Sequence, residues 1–164
     1  MSRLLRERRD VHFILKTTGY NDLCKLPNTT WITEWLSDSD LVRLYDSCDI
    51  LLAPSRGGGF EINVLEGLAR GLVVITSDWD AIQEYAGPYA LTVKSTGDKV
   101  KPLPGNPIHI GYGANPDPNH LYEVLTYAIE DLDSLKRKAE KNAPAIREKY
   151  SWRNTARRIV ECLG

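Results

Sequence analysis

Residues 50 to 78, ILLAPSRGGGFEINVLEGLARGLVVITSD, constrain the fold more than any other stretch of this chain. An apolar run, DILLAP, leads into three consecutive glycines, Gly57 to Gly59. A segment with helical spacing of apolar residues follows (EINVLEGLARG), and then a second apolar run, LVVIT. Two short apolar runs joined by one helix are the pattern of parallel strands, which need a crossover too long for a hairpin. Gly71 falls where a helix is stopped by a left-handed residue. Neither run alternates apolar and polar positions. Both are therefore predicted to be covered on two faces, within an α/β architecture.

The alternation extends in both directions. Residues 1 to 9 read as the last turns of a helix, VHFILKT as a buried strand ending at Gly19, and TTWITEW as a second short strand. SDSDLVRLYDSC reads as a helix capped by Ser37 or Asp38. After LVVIT, a short helix around WDAIQEYAG leads to a strand, YALTVK. Residues 95 to 118 carry much of the glycine and proline, and a loop of that length in a compact domain predicts a flap over a bound ligand. Asp117-Pro118 then opens a helix with good capping chemistry, and the remainder reads as two or three amphipathic helices.

Composition narrows the function classes. With 164 residues the chain is one compact domain or part of a larger fold. A formal charge of -1 and a pI near 6.3 argue against nucleic acid as a partner. The basic opening RLLRERRD reads as an exposed helix face. Cys24, Cys48 and Cys162 are odd in number and widely spaced, which suits reduced thiols in a cytoplasmic protein. No apolar run reaches the roughly 18 residues of a membrane span, and no leader pattern opens the sequence. His12, His109 and His120 share no ligand spacing with the cysteines, so no zinc site is expected. DSD at 38 to 40 is read as a helix cap, and DWD at 78 to 80 as a weak metal candidate. The nucleophile elbow of hydrolases, the phosphate-binding loop of NTPases and the dinucleotide fingerprint are all missing.

The glycine loop is the chemical centre of the sequence. Ligands of open α/β sheets bind beyond the carboxyl ends of the strands. There the start of the next helix offers unpaired N–H groups and a partial positive charge to an anion. Glycines let the backbone approach that ligand closely. Glu66, further along the same helix, can accept two hydroxyl protons from a ribose, and Arg56 in the loop can add a positive charge.

These residues carry a resemblance. LLAPSRGGGFEINVLEGLARGLVVITSDWDAIQEY resembles the donor-binding signature of the retaining, GT-B type glycosyltransferases of the large group 1 family. DSDLVRLYDSCDILLAPS, HLYEVLTYAIED and KYSWRNTARRIVECL are similar to the helices and strand around it. The resemblance implies a Rossmann-like parallel sheet with helices on both faces, the C-terminal half of a GT-B fold. Residues 1 to 164 would form a single nucleotide-sugar (donor) binding domain. The family's first strand and its N-terminal acceptor domain are absent, so the acceptor half would come from another domain or a partner chain, and any peripheral membrane contact with it. The implied reaction moves a sugar, of hexose type, from a nucleoside diphosphate to an acceptor with retention, without metal or cofactor.

Position by position, Glu66 matches the second acid of the family's Glu-x7-Glu motif, which holds the donor ribose. Gly58, Gly59 and Phe60 match the loop on the diphosphate and sugar, and Pro54 and Ser55 the turn before it. Glu84 matches the Glu after the family's double-glycine segment, while Thr33, Glu34 and Trp35 fall where the sheet edge meets the base. The departures are informative. Gly58 stands where the first Glu of the motif contacts the transferred sugar. Glu61 either reaches the same space from beyond Phe60 or places a negative charge in the first helical turn, and the helix dipole favours the second. Asp80 and Ala81 replace a glycine pair, and the family's basic pair has no counterpart beyond Arg56. Two expectations follow: the donor half of an active transferase, with Glu61 and Glu84 as catalytic acids, or a catalytically degenerate nucleotide-sugar binding module.

Overall fold

A computed structural model describes residues 2–18, 26–97, 99–101, 105, 107–108 and 111–164, apart from the side chains of Ser2 and Asp80. Gly19, Cys24, His109 and part of the 95–118 loop lie outside the described residues. The chain divides into two compact units, Met1–Leu44 and Tyr45–Gly164.

In the first unit, helix α1 (Ser2–Glu7) precedes strands β1 (Phe13–Lys16) and β2 (Thr29–Ile32). The strands are parallel, with Phe13 opposite Thr29 and Lys16 opposite Ile32. Both are shorter than the apolar runs suggest. Leu4 and Leu5 are buried. Helix α2 (Asp38–Asp46) contains the boundary between the units. Its cap is Ser37, whose Oγ accepts the N–H of Asp40 at 3.2 Å. The Asp40 carboxylate is occupied by Ser37 Oγ (2.6 Å) and Arg43 (2.9 Å), which fits the helix-cap reading of DSD. Among the described residues no group of three His, Cys, Asp or Glu is placed to hold a metal ion.

The second unit runs β3 (Ile50–Ala53), α3 (Ile62–Arg70), β4 (Val73–Ser77), α4 (Asp80–Tyr85), β5 (Leu91–Val93), α5 (Pro118–Glu130), α6 (Leu132–Lys149) and α7 (Trp152–Leu163). Its sheet has the order β3-β4-β5 and every pairing is parallel. The protein is α/β, with parallel sheets flanked by helices, as in the Rossmann-like half of a GT-B fold. All five residues of the central strand β4 are buried, which is why VVITS reads as a continuous run. Its two polar members are satisfied: Thr76 donates to the Ala53 carbonyl (3.2 Å) and Ser77 to that of Ser55.

Helix α3 lays Val64, Gly67 and Leu68 on the sheet. Val64 and Leu68 join Leu72, Val74, Ile82, Tyr85, Ala86 and Ile146 in one buried cluster. Gly67 is a packing glycine, since a Cβ there would meet Leu51 Cδ2 at 2.6 Å. Gly71 ends the helix at φ 81°, its neighbour Leu72 returning an N–H to the Gly67 carbonyl at 3.0 Å. Asp117 caps α5 by accepting from Asn119 N (2.8 Å), and Pro118 opens it. The described legs of the 95–118 loop are clipped together by bridges between Ser95 and Pro116 and between Val100 and Gly113.

The C-terminal segment forms three helices. Ser151 caps α7 through the N–H of Asn154 (3.1 Å), yet no residue of α7 is buried, and Trp152 is 89% exposed. Cys48 and Cys162 are free thiols. No helix among the described residues is long and apolar enough to cross a membrane.

Candidate functional site

The glycine loop leaves the carboxyl end of β3 at Ala53 and enters α3 at Ile62. Both of its ends are fastened to the β4–α4 region. At the entry, Ser77 Oγ donates to the Ser55 carbonyl, and Gln83 holds the Ser77 carbonyl at 3.0 Å. At the exit, the hydroxyl of Tyr85 accepts the Glu61 N–H (3.1 Å) and lies 3.2 Å from the Glu61 carbonyl, to which it can donate. The Tyr85 ring is buried and tilts against Phe60, with centroids 4.7 Å apart. Burial pushes the Tyr85 phenol above its ordinary range, so the latch keeps its proton.

Between these anchors the loop presents backbone. Ser55 Oγ accepts from Gly57 N (3.2 Å), and its single proton lies within reach of the Gly57 carbonyl (3.0 Å) and Glu61 Oε1 (2.9 Å). A Cβ on Gly59 would meet nothing within 4 Å, so that face of the loop is open. Phe60 is half exposed, and Arg56 is exposed with no ion-pair partner among the described residues.

Glu61 differs from the dipole reading. It is the N-cap of α3 rather than a first-turn residue, and its side chain makes no capping bond. The carboxylate instead folds back over Gly58, where a Cβ would stand only 2.2 Å from Oε1. There its Oε1 accepts the hydroxyl of Ser55 at 2.9 Å.

Glu66 sits on α3, part-buried, and accepts a 2.8 Å hydrogen bond from the hydroxyl of Tyr45 through Oε2. Among the described residues this is its one hydrogen-bond partner. Burial first, and then this bond to a carboxylate, push the Tyr45 phenol well above its ordinary range. The result is a carboxyl group with Oε2 held by a phenol and its second oxygen uncommitted among the described residues. Nearby, Arg70 grips Asp46 through two bonds of 2.8 and 2.7 Å, tying the start of this unit to the end of α3.

The remaining sequence-predicted residues are placed as follows. Pro54 lies with Ser55 at the strand-to-loop turn, and Ser55 N closes a tight turn to the Ala53 carbonyl (2.8 Å). Glu84 is exposed on α4. Thr33, Glu34 and Trp35 belong to the first unit, just past the carboxyl end of β2, and Trp35 is 95% exposed. His120, which showed no ligand pattern, is structural: its Nδ1 accepts the N–H of Lys94 at 3.1 Å. Tyr45, Ser77 and Tyr85 support the site and were missed. Their contacts span 21, 22 and 24 residues of sequence, and no local pattern announces them.

Comparison with known proteins bears on the family. Residues 1–100 match the family model described as glycosyl transferases group 1. The chain is 38% identical over 79% of its length to "Putative glycosyltransferase 45" of Sulfolobus islandicus filamentous virus (isolate Iceland/Hveragerdi). It is 28% identical over 98% of its length to "Uncharacterized protein 356" of Sulfolobus islandicus rod-shaped virus 1. Over 40% of its length it is 36% identical to the N,N'-diacetylbacillosaminyl-diphospho-undecaprenol alpha-1,3-N-acetylgalactosaminyltransferase of Campylobacter jejuni. The chain spans 38% and 45% of the two viral relatives and 19% of the Campylobacter enzyme.

Proposed function

The chain belongs to the group 1 glycosyl transferases, and on that premise we propose that it is the donor-binding half of such an enzyme. It binds a nucleotide-diphosphate sugar, whose sugar, of hexose type, is passed to an acceptor with retention of configuration. The diphosphate rests on main-chain donors of Gly58, Gly59, Phe60 and Ile62, at the start of α3, where the first N–H groups have no acceptor within the helix. Arg56 adds a positive charge there, and Glu66 takes the ribose hydroxyls. Glu84 supplies an acid at the reacting end. Catalysis by such a site is positioning and stabilisation of the leaving diphosphate. The acceptor half is a separate domain or chain.

The observation that carries this reading is Glu66: a part-buried carboxylate, aimed by Tyr45, on the helix that leaves an open glycine loop. Its carboxylate oxygens are suited to accepting from a vicinal diol. A thermal-shift screen of UDP, GDP and ADP and of UDP-glucose, GDP-mannose and ADP-glucose tests it. Stabilisation by one base series is expected, and none by any would remove the donor assignment. For the base that binds, Glu66→Ala should weaken binding by roughly 1.5–3 kcal/mol, since a hydrogen bond to a charged group is lost. Unchanged affinity by calorimetry would take Glu66 out of the site.

The second reading, a nucleotide-sugar binding module without transfer, is favoured by Gly58, which leaves that position without a carboxylate of its own. Release of sugar from a bound donor in the presence of the acceptor half separates the two.

A further inference from the structure

Lys94, the residue after β5, is held at both of its main-chain groups by the start of α5. Its carbonyl accepts the N–H of Asp117 at 2.8 Å, and its N–H donates to His120 Nδ1 at 3.1 Å. Directly beyond Lys94 stand the two legs of the 95–118 loop. The Thr96 N–H donates to the Asn115 carbonyl (2.9 Å), while the Asn115 N–H and side-chain amide donate to Ser95 Oγ (3.1 Å) and Thr96 Oγ1 (2.9 Å). The His120 bond is therefore at the root of this arm.

The sheet order β3-β4-β5 is parallel throughout, so the arm leaves the same edge as the glycine loop. Two strand spacings, about 10 Å, separate them. They are also joined through the end of β4: the Asp78 N–H donates to the Val93 carbonyl at 2.9 Å, and Ser77 holds the Ser55 carbonyl.

A main-chain N–H can only donate, so the bond from Lys94 requires a bare Nδ1. Once the ring takes a second proton both nitrogens are donors, and the contact becomes two N–H groups pointing at each other. The new charge also stands in the first turn of α5, where the helix dipole disfavours a cation. Histidine is the side chain that ordinarily changes charge between about pH 5 and 8. The charged groups around the ring are Asp117 and Glu123 on its own helix, Lys94 after β5 and Asp78 after β4. Strand β4 itself carries no titratable side chain, and α6 meets β4 and β5 at their amino ends through Leu135 and Lys138. Carboxylates and lysines in general keep their charge across that range.

We propose that His120 is a proton-operated clip. Neutral, it fastens α5 to the end of β5; protonated, it lets go and loosens the root of the arm beside the glycine loop. The fastening is complete on the alkaline side and is lost as pH falls. It is independent of which ligand the loop takes.

Nuclear magnetic resonance on the whole chain between pH 8 and 5 tests the clip. At pH 8 the ring should be the Nε2–H tautomer. On acidification the Lys94 amide should lose about fivefold of its protection, measured against an unstructured amide at the same pH, in step with titration of the His120 ring. His120→Gln keeps an acceptor that takes no proton in this range. Its Lys94 protection should not vary with pH, although His12 and His109 remain. His120→Ala should be as weakly protected at pH 8 as the parent is at pH 5. An Nδ1–H tautomer at pH 8 would overturn the proposal. So would Lys94 protection that stays constant in the parent, or that falls equally in His120→Gln. Loss of protection at Val74 of β4 together with Lys94 would mean general unfolding in place of local release, and would overturn it too.

Discussion

Tyr45 and Glu66 show how much of this site depends on a single proton. The phenol donates to a carboxylate in a partly buried setting, and both effects hold that proton on the oxygen. The consequence for stability has a definite sign. The folded pKa lies above the ordinary value of 10.0, so the contact contributes fully below about pH 10. Above it the unfolded chain gives up its proton first, and stability falls as pH climbs towards the folded pKa. Tyr45→Phe should therefore flatten the alkaline fall of the denaturation midpoint, measured by chemical unfolding from pH 8 to 11, against the parent. An identical alkaline slope would mean the bond is not made in solution. The same variant leaves Glu66 less constrained and should also loosen nucleotide binding by about 1 kcal/mol, the net value of an ordinary hydrogen bond.

Among the elements, α3 couples the site to the core. Gly71 is left-handed, and a Cβ on it would stand 3.2 Å from the Glu140 Cα of α6. Gly71→Ala should destabilise by more than about 1 kcal/mol through backbone strain alone, and Leu68→Ala by about 2–5 kcal/mol through the cavity it leaves. Thermal unfolding measures both. Helix α7 makes the opposite case. With no residue buried, deleting it after Tyr150 should leave the unfolding midpoint close to that of the parent. A large fall would show that its apolar stripe is packed in solution.

These elements also mark where sequence reasoning succeeds. The β3–loop–α3–β4 unit was legible because each piece has its own local signature: two unbroken apolar runs, a helical period and a glycine at the left-handed stop. Which of Ser37 and Asp38 caps α2 was not legible, since either side chain can accept an N–H. Nor was the direction of Glu61. A helix dipole predicts a charge at the first turn, but the carboxylate meets the Ser55 hydroxyl six residues back, and only the folded loop brings the two together. Tyr45 and Tyr85 were hidden for the same reason, because each finds its partner across more than twenty residues.

At the scale of the whole molecule, the two units are unequally equipped. Among the described residues, Leu4 and Leu5 are the buried hydrophobics of the first, whereas the second holds the remaining core, from Val64 to Ile146. A chain of fewer than about 40 residues seldom buries enough to fold alone. A fragment of residues 37–164, which keeps α2 and its cap, should unfold cooperatively, and residues 1–36 alone should give the circular dichroism of a coil. Failure of the longer fragment to fold would show that the first unit is needed for the second. The fastening of the glycine loop has its own consequence. Ser55 and Glu61 are tied to Ser77 and Tyr85, two points on one short stretch of polypeptide. Heat that frays that stretch lets go of both ends at once, so amide protons on either flank of the loop should begin exchanging together, at a single opening free energy, instead of one side loosening ahead of the other.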